Sequence, residues 1–229
     1  MVQRRCLGTT GNVSVEDSKF CLRYTGVAWA YSKRPEVVKV VQWGADGTKF
    51  KVPSTIRYHD DGRKIWGFDA SPDDVDTLQW FKLLLVEDRD MKENIRNCDY
   101  IKKAKASLAK AGKQPQEVVK DYLSLIWTQA VGSICKDMRR VIVDSMPFRV
   151  VLTVPATWGE IPYVSQRLVD AAELAGITAN RRCGETKLDI ASEPEAAAFS
   201  TLMDARSDRN LLVFPSTLFT LWGDISMHR

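Results

Sequence analysis

Phe148-Arg149-Val150-Val151-Leu152-Thr153-Val154 has an almost unbroken apolar centre and stops at Pro155. A short run of this kind, rich in β-branched residues and without polar alternation, is the pattern of a buried strand. Proline has no N–H for the ladder, so Pro155 ends it. On either side the period changes. In Gln116–Met138, residues Val119, Tyr122, Leu123, Ile126, Trp127, Ala130 and Ile134 recur at spacings of three and four, which predicts a helix with one apolar stripe facing a core. Lys136, Arg139 and Arg140 stand near its C-terminal end, where cations suit the helix dipole.

Downstream, Ser165–Ala175 predicts a second helix, with Leu168, Ala171, Ala172 and Ala175 on one side and Gly176 just past its end. A third helix opens at Ser192-Glu193-Pro194-Glu195. Ser192 is placed to cap it, Glu195 to complete a capping box, and Pro194 belongs in a first turn. Helices alternating with a buried strand predict a layered α/β fold.

The first third reads differently. Val27–Tyr31 and Val37–Trp43 are Val- and aromatic-rich strand candidates, and Gly44-Ala45-Asp46-Gly47 is a turn. Lys49–Val52 and Thr55–Tyr58 alternate, Asp61-Gly62 signals a hairpin, and Lys64–Phe68 is the return strand, so a β-meander is expected. Leu78–Val86 is apolar and fits either element type. Met91–Lys113 is mostly charged, a solvated helical face with Gly112 as its stop.

With 45% hydrophobic and 27% charged residues in a chain of 229, the composition suits an ordinary globular core. The net charge of +4, from 33 cations against 29 anions, is too small a bias to predict a nucleic-acid surface. Basic and aromatic residues do not interleave as base-stacking surfaces require. Five scattered cysteines and only His59 and His228 give no metal-ligand spacing, and predict reduced thiols. No apolar run approaches a membrane span, and Met1–Gly8 lacks the apolar centre of a signal peptide, so a cytoplasmic protein without membrane contact is expected. His59 beside Asp60 and Asp61 sits in a predicted hairpin turn, a poor place for hydrolase chemistry.

Three segments stand in a telling order: Gly8-Thr9-Thr10, Val151-Leu152-Thr153-Val154-Pro155-Ala156, and Ser192-Glu193-Pro194-Glu195-Ala196-Ala197-Ala198. Together they resemble the first lobe of the heat-shock protein 70 (DnaK-like) chaperones. Tyr24–Ser32 and Trp80–Leu85 look more like a divergent fungal branch of that family, and the likeness runs from about Tyr24 to Leu212. The resemblance implies an actin-like (ribonuclease-H-like) ATPase fold, with ATP and Mg²⁺ held between two lobes. It implies a mixed sheet of five strands and an inserted subdomain over about residues 37–138. Gly8, Thr9 and Thr10 would form the phosphate turn and Tyr24 would join them in binding the nucleotide, Lys82 would stabilise developing charge, and Glu193 would help orient the attacking water. Pro155 would relay nucleotide state. A co-chaperone or client protein would be the partner.

The same residues carry plainer readings: a strand end at Pro155, a helix start at Glu193, a snorkelling surface lysine at Lys82 and an ordinary turn at Gly8-Thr9-Thr10. Two departures from the family also stand out. Cys6 occupies the place of an aspartate that organises the metal's water shell, and a thiol suits Mg²⁺ poorly. Gly11–Arg23 separates Thr10 from Tyr24. It reads as a retained intron, because Val13-Ser14 and Phe20–Arg23 are compatible with splice-site codons, or else as a loop insertion. The sequence Asp-x-Gly-Gly-Gly-Thr, which would form a second phosphate loop, does not occur in these residues. Segments before Tyr24 and after Val213 are therefore expected to pack poorly, with Phe214, Leu218, Phe219 and Trp222 exposing apolar surface. The functional expectation is a truncated first lobe that does not hydrolyse ATP alone; the alternatives are a non-enzymatic interaction module or a fragment without function.

Overall fold

A computed structural model describes residues 23–32, 34–198 and 219–223. It is a mixed α/β structure built on a five-stranded sheet with two small two-stranded sheets beside it. The strands are β1 (Tyr24–Thr25), β2 (Val27–Tyr31), β3 (Arg34–Val40), β4 (Val52–Pro53), β5 (Ile56–Tyr58), β6 (Lys64–Trp66), β7 (Arg149–Val154), β8 (Lys187–Ser192) and β9 (Phe219–Gly223). The helices are α1 (Glu93–Arg96), α2 (Asp99–Lys110), α3 (Pro115–Asp137), α4 (Arg140–Asp144) and α5 (Pro162–Leu174), followed by a helical segment over 193–198.

The large sheet has the order β3-β2-β9-β7-β8. β2 and β3 are antiparallel, while β7 and β8 run parallel in continuous register from Arg149↔Lys187 to Val154↔Ser192. A parallel pair needs a crossover, and α5 lies in the connection between them. β9 fills the centre, parallel to β2 and antiparallel to β7. Of the tail expected to pack poorly, Phe219–Gly223 pairs through its backbone with β2 and β7, and Phe214 and Leu218 lie outside the described residues. Phe219–Gly223 finds open N–H and C=O groups on both flanking strands, because β2 and β7 are each paired on one side only by β3 and β8.

The core lies where the helix stripe meets the sheet. Val118, Val119, Tyr122, Ile126, Ala130 and Ile134 of α3 are buried with Val150, Leu152 and Val154 of β7 and Val164, Leu168, Ala171 and Ala172 of α5. Each large aliphatic side chain removed from water contributes roughly 1.5–3 kcal/mol. The same buried cluster continues through Ile56, Leu78, Phe81, Leu85 and Ile101, so the region over 37–138 shares this core. Its N-terminal strands form as short pairs in separate sheets, so the expected meander is broken up. Asp61-Gly62 does close the β5–β6 hairpin, with Gly62 at φ +83°.

The helix stripe places α3 at Pro115–Asp137, with proline in its first turn and the Gln114 N–H donating to the Glu117 carboxylate at 2.8 Å. Gly112 ends α2 at φ +60°. α5 starts at Pro162, one turn before Ser165, because Pro162 occupies the first helical position. At residue 192 both sides of the capping box form. The Glu195 N–H donates to Ser192 Oγ at 3.3 Å, and the Ser192 N–H donates to the Glu195 carboxylate at 3.0 Å.

Candidate functional site

Lys82 lies in a short 3-10 helix, Phe81–Leu85, entered through Trp80 at φ 59° and ψ 7°. A bulky residue in the left-handed region stores on the order of 1–3 kcal/mol, which its surroundings must supply. Trp80 is nearly buried and packs on Tyr100, with ring centroids 5.2 Å apart. This turn brings Lys82 back to the end of β1, where its Nζ donates to Thr25 Oγ1 at 3.0 Å and lies 5.5 Å from the centre of the Tyr122 ring.

Thr25 is fully buried, and its hydroxyl shares a 2.9 Å hydrogen bond with Ser54 Oγ, which is also buried. The Tyr122 hydroxyl donates to the Pro53 carbonyl at 3.0 Å. Burial pushes the Tyr122 pKa up to about 12, against opposing hydrogen bonds from Thr25 and Ser54. The phenol therefore stays neutral at physiological pH, and among the described residues Lys82 brings an ammonium to this cluster. Tyr24, one residue before Thr25, pairs with Pro53 in the β1–β4 ladder and is partly exposed.

The register carries the geometry across the sheet. β2 runs alongside β9, and β9 runs against β7, so the N-terminal end of β2 lies at the same sheet edge as the C-terminal ends of β7 and β8. Pro155 follows Val154 and Glu193 follows Ser192 at that edge, and Val154 and Ser192 are direct partners. With strands about 4.8 Å apart, three spacings place β8 roughly 14 Å from β2. Tyr24, Lys82, Pro155 and Glu193 thus share one rim. Gly8, Thr9, Thr10 and Cys6 lie outside the described residues.

Glu193 opens the helical segment over 193–198, where an acidic side chain is favoured by the helix dipole. Its neighbour Glu195 is committed to the cap, and the hydrogen bonds from Ser192 hold its carboxyl below the usual range. On β7, Thr153 is buried, and among the described residues its Oγ1 has no hydrogen-bond partner. An ammonium on one side of a rim and a carboxylate on the other is an arrangement able to hold an anion and orient a water. A crevice beside Tyr24, Ser54 and Trp80 has a volume of about 20 Å³, enough for one water and not for a nucleotide. A larger ligand at this rim would lie outside the crevice. Among the described residues, no three His, Cys, Asp or Glu side chains gather where they could hold a metal ion. No described helix is long and apolar enough to cross a membrane.

Sequence reasoning did not single out Thr25, Ser54 or Tyr122. Tyr122 belonged to the α3 stripe and read as core, which it also is. A signal was present in Thr25, a polar residue at the mouth of an apolar strand, since a buried hydroxyl requires a partner. Compared with protein-family models and with curated proteins, the chain matches none.

Proposed function

We propose that this chain is a heat-shock-protein-70-like, actin-like ATPase lobe that supplies one half of an ATP site, binds the nucleotide weakly and does not hydrolyse it unaided. The observation that carries the reading is the 3.0 Å hydrogen bond from Lys82 to Thr25, which joins residues 57 positions apart. It sets the lysine singled out by the resemblance directly beside the segment that would follow the phosphate turn. In this reading Lys82 meets the terminal phosphate oxygens, Tyr24 and Thr25 line the approach, and Glu193 accepts a hydrogen bond from the attacking water. Pro155, between β7 and the 3-10 helix Ala156–Trp158, would sense which nucleotide is bound. The described residues offer no acidic cluster for Mg²⁺, and in this reading they contribute charge and positioning.

A calorimetric titration with ATP and Mg²⁺ tests this. The expected result is a Kd above about 1 mM, weakened further in Lys82→Ala. Micromolar binding would overturn the half-site reading. Millimolar binding unchanged in Lys82→Ala would remove Lys82 from the site, and no binding at any concentration would remove the nucleotide.

One observation favours a second reading, a non-enzymatic interaction module. β3 is an edge strand, and Val37, Val38 and Val40 are 49%, 50% and 38% exposed. An apolar edge of this kind is a template for pairing with another strand. Loss of nucleotide binding together with capture of a client or co-chaperone abolished by Val38→Lys would select it.

A further inference from the structure

The opposite rim of the sheet holds a cavity of about 1270 Å³ between the end of β2, strand β3 from its start at Arg34, the starts of β7 and β8, and helix α4. Its floor is apolar: Trp29, Met146 and Phe148 are each less than a tenth exposed. Its rim is charged, and three of its six charged side chains are already matched. Lys39 pairs with Asp137 at 3.0 Å, and Arg149 pairs with Asp189 at 2.7 Å. Arg34 and Lys187 have no carboxylate partner among the described residues, and Glu185 is the acid of the lining that stands against them.

We propose that this cavity binds a small amphipathic anion, an apolar aromatic or aliphatic body bearing a carboxylate or sulfonate. The body lies on the Trp29–Met146–Phe148 floor, and the charge faces Arg34 and Lys187. Pockets that bind small molecules combine an apolar lining with few polar groups, and this one has the volume for such a ligand. Charge complementarity selects the sign: with the two ion pairs closed, the unmatched groups are two cations against one carboxylate. The cavity lies at the rim away from Lys82 and Glu193, so it stands whether or not nucleotide binds there.

The test is a fluorescence titration of the full chain with 8-anilinonaphthalene-1-sulfonate, an aromatic sulfonate, with near-UV circular dichroism as the check on folding. Saturable binding is expected, and Arg34→Glu/Lys187→Glu should raise Kd about tenfold. Glu185→Gln should tighten it by about threefold. Lys102→Glu/Lys103→Glu, the same change of charge on the exposed face of α2, should leave Kd unchanged. Should the double reversal unfold the protein, Lys187→Ala alone carries the test, with an expected rise of about threefold. Equal weakening by the α2 variant would mean that net charge alone governs the probe. That result, an unaltered Kd in the cavity variants, or non-saturable binding would overturn the proposal.

Discussion

Replacing Asp121 by alanine should cost about 2–4 kcal/mol of stability, because this buried carboxylate fastens the β5–β6 hairpin to α3. Asp121 is 2% exposed, yet it accepts hydrogen bonds from Lys64 at 2.9 Å and from the Tyr58 hydroxyl at 3.0 Å, and pairs with Lys120 at 3.0 Å. The lysines are 36% and 37% exposed and return to water when the carboxylate is lost, which discounts their share. Tyr58 is part-buried and loses its acceptor, so the hydroxyl carries the larger penalty, about 1–3 kcal/mol. Urea unfolding at pH 7 gives the difference directly, and the melting temperature should drop by about 5–12 °C. Asp121→Asn keeps an acceptor for Tyr58 and should cost about half as much. The pH dependence has a definite sign. Burial pushes the Asp121 carboxyl up, but hydrogen bonds from Lys64, Lys120 and Tyr58 outweigh it and hold the pKa below the usual range. The contribution is therefore complete above the unfolded value of about 3.9 and fades as the pH falls through the lower folded value. A cost below about 0.5 kcal/mol at pH 7 would refute this reasoning, since surface substitutions alone reach that size. So would a gap between wild type and Asp121→Ala that persists undiminished below about pH 3.

Other substitutions probe the frame. Gly67 has φ +61°, and a Cβ there would stand 2.6 Å from Val52 Cγ2; Gly67→Ala should cost about 2–4 kcal/mol, measured by the urea midpoint. Thr220→Pro removes a main-chain donor from the strand between β2 and β7, and should destabilise by about 2 kcal/mol or more, read by thermal melting. A variant as stable as wild type would show that the sheet does not need β9.

Local pattern and long-range pairing divide what the residues reveal. The α3 stripe, the Asp61-Gly62 turn, the apolar run before Pro155 and the Ser192–Glu195 box were all readable, because each is specified by neighbours a few positions apart. Met91–Lys113 was read as one charged helical face but forms two helices, α1 and α2, interrupted at Asn97-Cys98. Charge alone does not locate such a break. Leu78–Val86 fitted either a strand or a helix, and the structure gives neither: Trp80 turns left-handed and starts a 3-10 helix. β9 was missed for a different reason. Five residues of Phe-Thr-Leu-Trp-Gly look like a strand only once two edges lie waiting on either side. At the candidate site, the resemblance singled out Lys82 and Tyr24, while Thr25, Ser54 and Tyr122 emerged only when β1, β4 and α3 were seen to converge. Asp121 carried a readable warning, an acid next to Tyr122 within a core-facing stripe, where a charge must find partners.

The middle position of β9 bears on how the molecule is made. Val27 pairs with Phe219, so two adjacent strands of the sheet stand about 190 residues apart in the chain, and the second is made long after the first. Until Phe219–Gly223 appears, the β2–β3 pair and the β7–β8 pair each carry an uncovered inner edge. Closing so long a loop delays folding, and a nascent chain in that state is exposed to pairing with its neighbours. The step that seals the sheet thus waits on a strand made long after its partners, and the interval before it is when a holding chaperone would matter most to this protein.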